Sequence, residues 1–187
     1  MIDTLHTHRL LLRRWTDADR KPFAQMNADP TVMEYLEALD HPASDVLVDA
    51  FDRHFEDHGF GLWAVEVKGG APFIGFVGLW RTSFVAHFTP CVEIAWRLSR
   101  DAWGQGYAVE AAREVCRVAF DELGLNEIVA HTVPANFRSR RVMERLGMTH
   151  DPHEDFDHPR LPQGHPLRRH VLYRLRGPDN ADLEQVA

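Results

Sequence analysis

The feature that most constrains this chain is a strand, a glycine turn and a helix in immediate succession, just past the midpoint. Val92-Glu93-Ile94-Ala95-Trp96-Arg97-Leu98 reads as a strand, and Trp103-Gly104-Gln105-Gly106-Tyr107-Ala108-Val109-Glu110-Ala111 follows it. From there Val109, Ala112, Cys116, Ala119, Phe120 and Leu123 recur at helical spacing, with Glu110, Arg113, Glu114 and Arg117 on the opposite face. Glycines at 104 and 106 let backbone N–H groups approach an anion, and a helix opening at about Tyr107 brings the positive end of its dipole to the same point. The turn therefore suits a pyrophosphate. A dinucleotide-binding unit is disfavoured, because the third glycine of Gly-x-Gly-x-x-Gly would fall on Val109 and the unit lies far from the first strand.

Around this unit the pattern predicts one α+β domain over residues 1–177, with a polar tail over 178–187 after the stop at Gly177-Pro178-Asp179-Asn180. A first strand is expected over 9–15, helices over 17–27 and 29–36 with Thr16 as N-cap, and a third helix over about 44–57. Residues 61–67 and 72–80 are both strand-like and are separated by Lys68-Gly69-Gly70, which predicts an antiparallel hairpin. Further strands are expected over 90–98, 127–133 and 170–175, and a short helix over 139–146 closed by Gly147.

Composition limits the function classes. A chain of 187 residues, 44% apolar, can bury a core without metal or disulfide staples. A formal net charge of -7 argues against a nucleic-acid surface. No apolar run approaches the ~20 residues that span a bilayer, and the first residues lack the basic and apolar regions of a signal peptide, so a cytoplasmic protein without a membrane partner is expected. Cys91 and Cys116 lack Cys-x-x-Cys spacing and read as small core residues. The 12 histidines form no His-Glu-x-x-His or Cys/His array, so no metal is expected. A homodimer is the reasonable prior for a soluble enzyme.

Trp103-Gly104-Gln105-Gly106-Tyr107-Ala108-Val109-Glu110-Ala111 resembles the acetyl-CoA pyrophosphate loop of GNAT acetyltransferases, in the Trp-Gly-x-Gly-Tyr-Ala-x-Glu-Ala form of the RimJ/RimL-like (ribosomal-protein alanine N-acetyltransferase) branch. In the wider pattern Gln/Arg-x-x-Gly-x-Gly/Ala, Gly106 and Ala108 fit and Trp103 replaces the usual Gln or Arg. Asn136-Phe137-Arg138-Ser139, running on to Leu146-Gly147-Met148, resembles the family's Asn-x-x-Ser segment, and Thr7-His8-Arg9-Leu10-Leu11-Leu12-Arg13 resembles its opening. The resemblance implies a GNAT fold, a mixed and mostly antiparallel central sheet flanked by helices, with acetyl-CoA as co-substrate. It also implies that Ile94, Ala95, Trp96, Trp103, Gly104, Gln105, Gly106, Tyr107, Ala108, Asn136 and Ser139 contact that molecule, with Asn136 on the pantetheine arm and Ser139 near the sulfur.

Acyl transfer to an amine needs the neutral amine, whereas an α-amino group titrates at ~7.7–8.0 and a lysine at ~10.4. Glu93 is the lone carboxylate in its apolar strand and is the expected base; the alternative is a solvated residue or one paired with Arg81 or Arg97. Ser139 is the expected proton donor to the departing thiolate, or else only a helix N-cap, with Tyr173 a weaker alternative donor. Arg138, Arg140 and Arg141 either approach CoA phosphates or are solvated. Backbone N–H groups around Ile94 and Trp96 are expected to polarise the thioester carbonyl, and neither cysteine has an evident activating partner, so direct attack in a ternary complex is expected. Trp80, Arg81 and the turn-rich stretch 155–168 are candidates for the acceptor pocket, with packing or a plain surface loop as the alternatives. The expected acceptor is a protein or peptide N-terminal α-amine; the alternatives are a small amine such as an antibiotic or polyamine, or a non-catalytic acetyl-CoA sensor.

Overall fold

The computed structural model describes residues 2–177, so the tail expected over 178–187 lies outside the described residues. The order is β1 (Thr4–His6), β2 (Leu10–Arg13), α1 (Asp17–Ala28), α2 (His41–His58), β3 (Leu62–Val67), β4 (Gly75–Arg81), β5 (Val92–Leu98), α3 (Tyr107–Arg117), β6 (Glu127–Thr132), α4 (Phe137–Arg145), β7 (Thr149–His150), β8 (Phe156–Asp157) and β9 (Arg169–Arg176). One sheet runs β1-β2-β3-β4-β5-β6-β9-β7, with β8 beside β9. Every pairing is antiparallel except β5 with β6.

Alternation along the strands sorts the core onto two faces. Trp63, Val65, Val77, Leu79 and Ile94 point toward α3, where they meet Ala111, Ala112 and Val115. Leu62, Ala64 and Phe76 point the other way, against Phe23 and Met26 of α1 and Val48 and Phe51 of α2. At the centre the backbones approach so closely that a Cβ on Gly78 would stand 2.1 Å from the Gly61 carbonyl oxygen. Only glycine fits there.

The expected helix over 29–36 is not formed; the segment is a run of turns linking α1 to α2. Asp29-Pro30-Thr31 ends the helix before it, and the Asp29 carboxylate accepts from the Thr31 N–H at 2.8 Å instead. Thr16 does cap α1: its N–H and hydroxyl donate to Asp19 Oδ2 at 2.8 and 2.9 Å. β4 begins at Gly75 rather than Pro72, the first expected strand forms as β2, and β1, which the sequence did not announce, pairs with it as a hairpin. α4 begins at Phe137 with Asn136 as its N-cap, so Ser139 sits inside the first turn and is not itself the cap.

Candidate active site

β5 is held along one edge by β4, from Gly75 opposite Leu98 to Arg81 opposite Val92. Along its other edge the only residue pair joining it to β6 is Glu93 with Val129. The two parallel strands separate beyond that point, leaving main-chain groups of β5 unpaired by any strand. A cleft of about 570 Å³ occupies the opening. Its walls include Glu93 to Leu98 of β5, the turn and first residues of α3, His131 and Thr132 of β6, the start of α4, and Val32, Tyr35 and Leu36 from the α1–α2 connection.

The turn at the mouth of the cleft is built for an anion. Gly104 and Gly106 have φ of 75° and 81°, the left-handed region that glycine adopts without penalty. Gly106 is also the N-cap of α3 and offers no capping side chain, so the free N–H groups of the first turn are left for a ligand. A Cβ at Gly104 would meet nothing within 4 Å. The turn is braced from the N-terminus: Thr7 Oγ1 and the Arg9 N–H donate to Glu110 Oε1 at 2.6 and 2.8 Å, and Arg9 Nε donates to Glu110 Oε2 at 2.6 Å. Arg9 also donates from Nη1 to the Gln105 carbonyl at 3.0 Å and lies over the Tyr107 ring. The opening Thr-x-Arg segment and the glycine turn are thus one construction. The pyrophosphate of acetyl-CoA fits these open donors.

Of the residues expected to contact acetyl-CoA, Ile94, Ala95, Trp96, Trp103, Gly104, Gly106, Tyr107, Ala108, Asn136 and Ser139 line the cleft together. Gln105 is not among the lining residues, and its carbonyl is engaged by Arg9. Asn136 is already committed at both ends of its amide: Oδ1 accepts from the Ser139 N–H at 3.2 Å and Nδ2 donates to Thr132 Oγ1 at 3.0 Å. Arg138 and Arg141 line the cleft, and Arg138 lies over the Trp103 ring while donating to Glu34 of the α1–α2 connection at 2.6 Å. Arg140 turns away to the Pro134 carbonyl and the Tyr173 hydroxyl. Tyr173 is buried against Glu144 and His150 and is not a lining residue.

Glu93 lines the cleft, and its partner is neither Arg81 nor Arg97. His131 Nε2 stands 3.3 Å from Glu93 Oε2, with both side chains largely buried. His131 is the functional candidate that sequence reasoning passed over. Its ring lies against those of His158 and His170, at 5.8 and 5.2 Å between centroids, so the stretch 155–168 does reach the Glu93 end. Burial pushes His170 down to about 4, with nearby His131 adding to the effect, and burial likewise lowers His158. These two imidazoles are neutral at pH 7. Trp80 stacks on His54 and packs on Phe51, and neither it nor Arg81 lines the cleft.

The cysteines offer no nucleophile here. Burial pushes the Cys116 thiol up to about 12 and raises Cys91 as well, and neither lines the cleft.

Residues 9–149 match the acetyltransferase (GNAT) domain. The chain belongs to the GNAT acetyltransferase family. An Aspergillus fumigatus protein named FsC-acetyl coenzyme A-N(2)-transacetylase is 34% identical over 79% of this chain, which spans 65% of that relative's length. The uncharacterized protein YkkB of Bacillus subtilis is 33% identical, over 77% of this chain and 84% of its own. Among solved structures, an acetyltransferase from Agrobacterium tumefaciens superposes with a TM-score of 0.75 at 28% identity, covering 94% of this chain and 95% of that one. The GNAT chain thus has the family's α+β fold, and no helix among its described residues is long and apolar enough to cross a membrane.

Proposed function

We propose that this chain transfers the acetyl group of acetyl-CoA to a primary amine of a small molecule, by direct attack within a ternary complex. The observation that carries the reading is the cleft between the separated strands, with an anion-binding turn at one end and a buried carboxylate–imidazole pair at the other. Bound acetyl-CoA supplies the activated acyl group. The N–H groups at the start of α3 hold its pyrophosphate, and the free edge of β5 around Ile94 and Trp96 offers main-chain donors to the thioester carbonyl. Glu93 takes the proton from the incoming ammonium, directly or through one water, and His131 Nε2 lies 3.3 Å from its carboxylate oxygen. Ser139 passes its proton to the departing thiolate and regains one from the acylated nitrogen, which sheds its second proton as the amide forms. With both thiols raised and neither lining the cleft, a cysteinyl acetyl-enzyme intermediate is not part of the reading.

Two observations favour a small acceptor. The α1–α2 connection roofs the cleft through Tyr35 and Leu36 and is tied across it by Glu34 and Arg138. The fungal relative, at 34% identity, carries a name that puts the acetyl group on an N(2) nitrogen. A protein N-terminal α-amine is the second reading, favoured by the RimJ/RimL-like form of the Trp103–Ala111 loop. The test is thiol release from acetyl-CoA with a panel of diamines, amino acids and aminoglycosides beside peptides bearing free N-termini. Turnover with small amines and none with peptides is expected. Turnover with peptides alone would reverse the order of the two readings, and CoA release with neither, despite tight acetyl-CoA binding, would favour a non-catalytic sensor.

A further inference from the structure

Alternation along β5 puts Glu93, Ala95 and Arg97 side by side on the face toward α1 and α2, and all three line the cleft. Arg97 combines burial with the lack of a carboxylate partner, whereas arginines such as Arg81, Arg113 and Arg141, which also lack one, are exposed. Arg9, Arg13, Arg14, Arg20, Arg117, Arg138, Arg168 and Arg174 each meet a carboxylate. Among the described residues, none pairs with Arg97, in a chain with seven more acidic than basic side chains by formal charge, -7. Its Nη1 donates to Asn27 Oδ1 at 2.5 Å, and the Asn27 amide donates in turn to Ser44 Oγ at 2.9 Å. Asn27 and Ser44 are wholly buried. The Phe76 ring lies 5.4 Å from the guanidinium carbon, and Nε is buried with no hydrogen-bond partner.

Burial alone pushes Arg97 down to about 10, so it stays cationic at neutral pH. A desolvated cation without a counter-charge is costly, and a guanidinium presents parallel donors that match a carboxylate. Asn27 orients that guanidinium without cancelling its charge, as an aspartate would. Ala95, between Glu93 and Arg97, keeps the floor of the cleft low. We infer that Arg97 is the anion-recognition residue of the acceptor half of the cleft, and that the acceptor is a primary amine that also carries a carboxylate. Four strand steps separate the Cα atoms of Glu93 and Arg97 by ~13 Å. An amine at one and a carboxylate at the other need a chain of several atoms between them, as in an ω-amino acid.

This inference rests on the acetyltransferase reading, and titration calorimetry with CoA alone tests that reading separately. The probes are ε-aminocaproate and ε-aminocaproamide, which differ in charge at one end only, with acetyl-CoA as donor. Wild type should favour the carboxylate by about tenfold or more in kcat/KM. Arg97→Gln should bring the ratio to about one, and Arg97→Lys should fall between. Asn27→Asp, which gives the guanidinium an internal carboxylate, should also erase the preference while leaving the folded state intact, so a folding defect in Arg97→Gln would not hide the answer. A preference that survives in Arg97→Gln, or wild type favouring the amide, would overturn the inference. So would a loss of CoA affinity in Arg97→Gln as large as the loss toward the acceptor, since the arginine would then serve the co-substrate. Where neither probe turns over, saturation-transfer NMR on the CoA-loaded protein decides: ε-aminocaproate must bind and its amide must not, with binding lost in Arg97→Gln, and no binding rejects the inference.

Discussion

The two edges of β5 do opposite things. Toward β4 it is zipped along its whole length, and at Gly75 of β4 the backbone comes closer to the Arg97 carbonyl than any side chain permits. Toward β6 it is joined only where Glu93 faces Val129, and the edge beyond lies open to the cleft. One strand is thus both the rigid centre of the sheet and the wall of the site. Main-chain groups that would be satisfied by a neighbour in an ordinary sheet are kept free for a ligand, and the closed seam on the other side holds them in place.

The largest effect is expected from disturbing the closed seam. Gly75→Ala would press its methyl onto the Arg97 carbonyl at 2.1 Å and should destabilise the fold by about 4 kcal/mol or more, read by chemical denaturation. Tolerance of that substitution would mean the seam is not the rigid reference described here. At the open edge the effect should fall on rate and not on stability. Glu93→Gln should lower kcat by about 10²-fold or more near neutral pH, with the loss shrinking as rising pH deprotonates the amine in solution. An unchanged rate-versus-pH profile would remove Glu93 as the base.

A smaller effect is expected at the mouth. Glu110→Ala removes the acceptor for Thr7 Oγ1, the Arg9 N–H and Arg9 Nε, and should weaken acetyl-CoA binding about tenfold, measured by calorimetry, without changing kcat at saturation. The last lies behind the open edge. His170 titrates at about 4 in the fold against ~6.5 unfolded, so the unfolded chain binds more protons between those values. Its share of stability is complete above pH ~6.5 and falls as pH drops toward 4. Denaturation at pH 7 and pH 5 should show a loss of about 2 kcal/mol or more that His170→Gln reduces, with His158 and His54, shifted the same way, adding to it.

The same contrast explains what was legible in the sequence. The mouth of the cleft is written in consecutive residues, Trp103 to Ala111, where the glycines, the helix start and the chemistry share one window. The hairpin of β3 and β4 followed from strand-like residues and the Lys68-Gly69-Gly70 turn in the same local way. The acceptor half is assembled from distant segments. Glu93 stood out as a carboxylate in an apolar strand, but nothing near it in sequence names His131 as its neighbour. His131 itself interrupts Ile128-Val129-Ala130, a signal that gains meaning only once β5 and β6 are known to be adjacent. Arg97 reads as an ordinary strand-end charge until the absence of a carboxylate around it is seen in three dimensions. The segment after α1 does not continue as a helix because Pro30 breaks it and the Asp29 side chain accepts from the Thr31 N–H, a local competition that a span of a few residues does not announce. The very short strands β7 and β8 carry too few residues for any period to register.

The central claim is that acetyl-CoA lies along the free edge of β5 with its pyrophosphate at the start of α3. Amide hydrogen exchange with and without acetyl-CoA tests it most directly. Slowed exchange at Ile94 to Trp96 and at Trp103 to Ala108, with β4 unaffected, is the predicted result. Protection elsewhere, or no protection at either segment under conditions where acetyl-CoA is bound, would contradict it.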